Sequence, residues 1–372
     1  MTVERETAGF ALPFAAGAIL AAHTGNHLYD SNFHISVTII SLLLAACLLF
    51  MLTPARQKLP PSATGICMAF LAICTGLFCG VSETVMSISH TESRIISAAG
   101  EFCESMKAAI DTMEFDDRRT NAVIKALITG DRSDIPSELT DTFRSSGASH
   151  ILALSGFHLG IIYLIIRHSL SGFGNTEKAL VLRAAVTIIL CGFYTLATGA
   201  GPSTVRALIF MILRESAILL NRNHSTAQIL LASLVIQLAV SPSAADSVSF
   251  QLSYAAMAGI AWIYPRLKSF WPVPEKDDRI GWNIMRRIWN SAAMSISCQL
   301  PTAPLAWYRF HSFPKHFILT NLLALPLASL IIPASLAALA FHMAGTAPDF
   351  MLTITEALIS LFINILEIIA LM

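Results

Sequence analysis

Apolar runs of roughly 18 residues recur along the chain between short polar breaks. That repeat predicts membrane-crossing helices, because about 20 apolar residues in an α-helix cover a hydrocarbon layer of ~30 Å. Predicted spans fall near 9–23, 33–53, 65–85, 150–168, 179–198, 203–220, 226–241, 250–264, 289–308, 317–345 and 351–371. The expected fold is all-α: a polytopic membrane helix bundle of about 10–12 transmembrane segments with short amphipathic external helices. The run 317–345 exceeds one span and contains Pro326 and Pro333, so a kinked helix and a broken pair of half-helices both fit it.

One long stretch, about 87–146, is polar. Within it Met106, Ala109, Ile110 and Met113 recur at helical spacing, predicting an amphipathic helix. A second helix is expected from Arg118 to Thr129, ended by Gly130. The run Ser133-Asp134-Ile135-Pro136 reads as a third helix start, with a side-chain cap and an early proline. Gly147 then ends that helix in the left-handed conformation. Three regions follow: N-terminal transmembrane helices over 1–86, external linker helices over 87–147, and the main transmembrane domain over 148–372.

Composition agrees with a membrane protein. Of 372 residues 55% are hydrophobic and 13% charged, with a mean hydropathy of +0.64; soluble domains carry about 25% charge. Basic and acidic residues balance at 24 each, so bulk charge points to no nucleic-acid or acidic partner. Positive charge on short loops marks the cytoplasmic side. Arg56 and Lys58 in the turn after the second predicted span therefore place the amino terminus inside and the polar stretch 87–146 outside. Counting onward, the loop near 265–288, with Arg266, Lys268, Lys276, Arg279, Arg286 and Arg287, also falls inside. No cleavable signal peptide is expected. Cys47, Cys67, Cys74, Cys79, Cys191 and Cys298 lie in apolar spans and Cys103 in the polar stretch, with no zinc-type spacing. They read as small buried hydrophobes, and no cofactor or metal is predicted.

The chemistry concentrates in Gly147-Ala-Ser-His150-Ile-Leu-Ala-Leu-Ser155-Gly156-Phe-His158-Leu-Gly160. Polar groups cost several kcal/mol in hydrocarbon unless partnered, so a lipid-facing helix would carry none of these. Gly156 and Gly160, four apart, would share a helix face and let another helix approach. If the segment is one helix, His150 and His158 lie about two turns apart with Ser155 near the same side. Such residues line a wet path, bind a metal, cap a helix or serve a hydrolase. A hydrolase would need a carboxylate to orient the histidine, and this span has none.

Further along, Gly199-Ala-Gly201-Pro202-Ser203-Thr-Val-Arg206 breaks one helix and starts another. Free amides at Ser203 and the dipole there suit an anion. Arg206, one turn in, is expected to face the bundle interior or water, or to snorkel to the interface. Gln251, Gln299 and Asn321 are polar groups within spans; each could hold helices together, and with the breaks they favour a bundle containing a cavity.

Four ordered blocks give a family resemblance. Leu127-Ile-Thr-Gly130-Asp131-Arg132-Ser leads to Phe143-Arg144-Ser-Ser-Gly147 and the His150–Gly160 stretch. Gly201–Ala207, Gln251-Leu-Ser-Tyr-Ala-Ala, and the run from Gln299 through His311 to Asn321-Leu-Leu-Ala-Leu-Pro326 follow in order. Together they resemble the hallmark of the ComEC competence-protein family. The resemblance implies a bacterial inner-membrane, multi-pass channel that passes single-stranded DNA into the cytoplasm during natural transformation. His150, Ser155, Gly156, His158, Gly160, Ser203, Arg206, Gln251, Gln299 and Asn321 would then lie on the DNA path. Asp131, Arg132 and Arg144 would belong to a gating or external loop.

The chain departs from the family pattern in two respects. Many members carry an external oligonucleotide-binding-fold domain and a metallo-β-lactamase-like nuclease domain. Here the polar stretch is strand-poor, and no His-x-His-x-Asp-His motif occurs. The expectation is a chain with no nuclease or ATPase activity. It would work in membrane lipid beside a separate DNA receptor, a nuclease and a cytoplasmic ATP-driven motor. A small-solute or ion transporter is the alternative, and an intramembrane hydrolase a further one.

Overall fold

The computed structural model describes residues 2–25, 68–79, 94–174, 176–221, 225–270, 280–311 and 315–372. The predicted span 33–53, the turn with Arg56 and Lys58, Cys47, Cys67 and the loop residues 271–279 lie outside the described residues. Among the described residues the chain is helical, with no strand. The helices are α1 (Thr2–Gly25), α2 (Arg94–Asp111), α3 (Arg118–Thr129), α4 (Ser137–Ser145), α5 (Ser149–Leu152), α6 (Gly156–Ser169) and α7 (Glu177–Ala197). They continue with α8 (Pro202–Leu219), α9 (Thr226–Val240), α10 (Val248–Ala258), α11 (Tyr264–Ser269), α12 (Ile280–Phe310), α13 (Phe317–Met343) and α14 (Asp349–Ala370).

Helices α7, α13 and α14 are long and apolar enough to cross a membrane; Glu6–Ala21, Met68–Cys79 and Thr226–Val240 are shorter apolar helices. On α14 the buried face is Thr355, Ile359, Phe362, Ile363, Leu366 and Ile369, while Phe350, Ile354, Leu361 and Ile368 are exposed. A helix apolar on both faces suits one side against protein and the other against lipid. The run predicted at 317–345 is one continuous helix, α13, despite Pro326 and Pro333.

The chain divides into two compact units. One comprises 1–91 and 209–254. Its core gathers Phe14, Ala15, Ala18, Ala72, Leu238, Ala245 and Phe250. Gly17 and Gly76 let α1 and the 68–79 helix approach backbone to backbone: a Cβ on Gly17 would strike Ile73, and one on Gly76 would strike Phe14 and Ala18. Small residues at such a crossing are how helices pack where lipid removes the hydrophobic drive.

The second unit comprises 92–208 and 255–372 and holds the His150–Gly160 stretch. Its core joins α2, α3 and α4 to α13 and α14 through Ile110, Leu127, Phe143, Ile331, Phe362 and Leu366, among others. Cys103, placed by sequence in a polar stretch, is buried here.

Helix α3 runs from Arg118 to Thr129 as its pattern predicts, with the Asp117 side chain capping Arg119 N–H and Gly130 at φ 81°. Gly147, at φ 82°, follows α4. The expected start of α4 is corrected: Pro136 occupies the N-cap and no side chain caps there. Asp134 is drawn off to Lys125 at 2.5 Å, while Ser133 N–H donates to Asp131 at 3.0 Å.

Polar ties fix these helices to the apolar ones. Tyr194 of α7 donates to Ile128 O at 2.6 Å, and Thr320 of α13 to Ser146 O at 2.5 Å. Glu356 of α14 accepts from Asp117 N–H at 2.8 Å.

Candidate functional site

The stretch 147–160 is not one helix. Gly147 turns the chain, α5 makes a single turn over Ser149–Leu152, and Ala153 leaves helical geometry at ψ 122°. Ser155 is extended (φ −137°, ψ 174°), and α6 starts at Gly156. The reading of His150, Ser155 and His158 as one helical stripe is therefore corrected: a break separates the first histidine from the other two residues. Its cause is written in the sequence. Ser155 and His158 form a capping box, in which the serine side chain serves the helix start and the N3 side chain reaches back to the N-cap amide. Ser155 N–H donates to His158 Nδ1 at 3.3 Å, Ser155 Oγ lies 3.2 Å from the same nitrogen, and Phe157 N–H donates to Ser155 Oγ at 3.3 Å.

This bonding fixes the tautomer. Nδ1 accepts the Ser155 amide proton, so the neutral ring carries its own proton on Nε2. That atom is buried without a hydrogen-bond partner. The Ile151 carbonyl lies close to the ring without forming a bond of proper geometry. His158 as a whole is 1% exposed, so a donor has been taken out of water with only the poorly aligned Ile151 carbonyl near it. Such an orphan costs about 1–3 kcal/mol.

Gly156 is where α8 comes closest. A Cβ built there would stand 2.8 Å from Arg206 Nη2 and 3.1 Å from Ala207 Cβ. Arg206 is buried, at 6% exposure. Gly160 has nothing within 4 Å of the same construction, so the paired-glycine face is corrected to a single close approach at Gly156. The turn ahead of α8 has Gly199 at φ 82° and Ala200 at φ 48°, with Thr204 Oγ1 donating to Gly201 O at 2.8 Å. Ser203 is half-buried in the first turn of α8.

On the other side, His150 Nδ1 lies 3.0 Å from Gly147 O, and the ring meets Asn321 of α13. His150 as a residue is exposed. Asn321 Oδ1 is buried without a partner. The structure thus brings His150, His158 and Asn321 into one neighbourhood, with Gly156 and Arg206 beside the α6 start.

The other predicted residues lie elsewhere. Gln251, in the first unit, donates to Ala245 O at 2.9 Å. Gln299 is half-buried on α12. Arg132 and Arg144 are exposed. Asp131 pairs with Lys107 at 3.1 Å. The Ser133 amide and hydroxyl, with Lys107, hold the Asp131 carboxyl down at about 2.

Sequence reasoning missed Lys125. It is 5% exposed and bridges Asp111 and Asp134, each at 2.5 Å. Burial alone would lower its pKa, but the hydrogen bonds it donates to both carboxylates raise it, so it stays charged. A lysine inside Val123-Ile-Lys-Ala-Leu127 was the available signal. Its partners come from before and after the helix, which periodicity does not reveal.

The sequence profile of the family described as "Competence protein" matches residues 127–372. The chain is 27% identical over 233 residues to the "Uncharacterized protein YcaI" of Escherichia coli (strain K12), covering 60% of this chain and 30% of that protein. It is 25% identical over 223 residues to "ComE operon protein 3" of Bacillus subtilis (strain 168), covering 59% of this chain and 26% of that protein. The matched part thus spans less than a third of either relative's length. No solved structure matches.

Proposed function

The chain belongs to the competence-protein family, and on that premise we propose that it forms the membrane channel of a DNA-uptake apparatus. It is a membrane protein with three described helices able to cross a bilayer. In the proposed role it spans the bacterial inner membrane several times and passes one DNA strand into the cytoplasm. A surface receptor would deliver the DNA, a separate nuclease would remove the second strand, and a cytoplasmic ATP-driven motor would draw the strand in.

One observation carries this reading: a buried arginine, Arg206, lies against the start of α6 at Gly156. A fixed guanidinium and the amide end of a helix both favour phosphate. Neighbouring hydrogen-bonding groups let a polar chain slide without facing bare hydrocarbon.

The decisive experiment compares passage of labelled DNA into the cytoplasm of transformable cells with and without this gene. Passage that needs the protein, while surface capture does not, supports the channel. Full activity of both Arg206→Ala and His158→Ala would count against it. Unchanged passage in the deletion strain would move the reading to a small-solute or ion transporter. The hydrolase reading rests on the 3.2 Å contact between Ser155 Oγ and His158 Nδ1. It is weaker because His158 Nε2 meets no carboxylate, and Ser155 and His158 already serve as a helix cap.

A further inference from the structure

We propose that the first half of α2 lies in the interfacial layer of the bilayer, with Ile95, Ile96 and the open edge of Phe102 seated among lipid. The sequence of α2 sets its apolar residues at three- and four-residue steps, which on a helix make a single stripe. From Ala99 onward the stripe enters protein: Ala99, Cys103, Met106 and Ile110 are buried. Towards the amino end it continues into the open, where Ile95 is 63% exposed, Ile96 54% and Phe102 42%. The opposite face carries Ser97, Glu101 and Glu104, all exposed, with Ser97 Oγ donating to Glu101 at 3.3 Å. Carboxylates on that face keep α2 from crossing the bilayer.

The adjoining helix identifies what covers the open part. Phe102 packs on Phe193 of α7, with ring centroids 5.5 Å apart. Helix α7 is long and apolar enough to cross a membrane. Its exposed Ile189, Leu190 and Leu196 stand three or four residues from Phe193 and so share its side of the helix. Exposed apolar residues on a spanning helix face acyl chains, and the stripe of α2 extends that lipid-facing surface. Depth follows from position. Phe193 stands four residues from the end of α7 at Ala197, about 6 Å along the axis. Interfacial helices bury their apolar face to a similar depth, ~5–10 Å. Two basic and three acidic residues nearly cancel along α2, so apolar contact rather than attraction to anionic headgroups holds it there. The helix is then a strut. Its first half rests in lipid, while Lys107 pairs with Asp131 at 3.1 Å and holds the turn after Gly130 near the bilayer surface.

The test uses the full chain in phosphatidylcholine nanodiscs, with a nitroxide attached to a ketone-bearing amino acid so that the native cysteines stay unlabelled. The label replaces Ile96 in one sample and Glu101 in another. Power saturation of the nitroxide spectrum reads collisions with oxygen, which concentrates in lipid, and with a water-soluble nickel chelate. The label at Ile96 should collide mainly with oxygen, and the label at Glu101 mainly with the chelate. Frequent chelate collisions at Ile96 would show a solvated face and overturn the proposal. Rare collisions with both reagents would show a face covered by protein, from a second copy or another segment, and overturn it equally. Should a labelled chain fail to fold, the unmodified protein with a photoactivatable phosphatidylcholine decides. Lipid adducts are expected on the tryptic peptide Ile95–Lys107 as well as on Ala184–Arg206, which carries the exposed side of α7. Adducts on the α7 peptide alone overturn the proposal.

Discussion

In the helices from Arg94 to Ser145, buried charge is matched. Lys125 meets Asp111 and Asp134, and Lys107 meets Glu104 at 2.8 Å and Asp131 at 3.1 Å. A few residues later, between Gly147 and Gly160, the chain buries His158 with its Nε2 unbonded, and Asn321 Oδ1 joins it. Both regions lie in one unit and share a core with α13. The difference separates two uses of polarity. Matched groups define where helices sit and ask for nothing more. Unmatched ones lower stability and persist where a ligand or water completes them.

The comparison can be broken most severely at Gly156. Even a methyl group there meets Arg206 Nη2 at 2.8 Å. Gly156→Leu should therefore force α6 and α8 apart, at a cost of about 3 kcal/mol, the upper range for overpacking. The check is recovery of folded protein in detergent together with DNA passage, and both should fall.

Next is Lys125→Met. It removes two charge-assisted bonds, but Asp111 and Asp134 are half-exposed and remain hydrated. The expected loss is about 2 kcal/mol, read as a lower melting temperature with DNA binding unchanged. A loss of DNA binding with stability intact would place Lys125 on the wrong side of the comparison.

Ser155→Ala removes a helix cap and should cost about 1 kcal/mol, with Ser155→Asp restoring most of it. Complete loss of function at unchanged stability would instead revive the hydrolase reading.

The smallest effect concerns pH. The Asp131 carboxyl is depressed from 3.8 to about 2 by Ser133 and Lys107. A depressed carboxylate contributes stability that is present above pH 3.8 and lost as pH falls towards 2. Across that window the melting temperature should fall more steeply with pH for the wild type than for Asp131→Asn.

Much of the helical region was readable. Asp117 and Gly130 bracket α3, and Gly147 ends the α4 segment, because caps and left-handed glycines are local effects that neighbouring residues report. The break after Leu152 was readable in principle as Ser155-x-x-His158. The box uses histidine where glutamate or glutamine is usual, and the apolar run around it suggested a continuous span. Contacts such as Tyr194 with Ile128, or Thr320 with Ser146, had no local signal, being set by which helices pack together.

The sequence alone determined that the chain is helical and apolar enough for a membrane, where its short amphipathic helices lie, and, through four ordered motifs, its family. These follow from hydropathy, periodicity and capping, each confined to a few neighbouring residues. Only the tertiary structure decided that Gly156 rather than Gly160 receives a helix, that Arg206 is buried against it, and that His150, His158 and Asn321 gather. Those facts depend on residues far apart in the chain meeting across packed helices, and no local pattern records which ones meet.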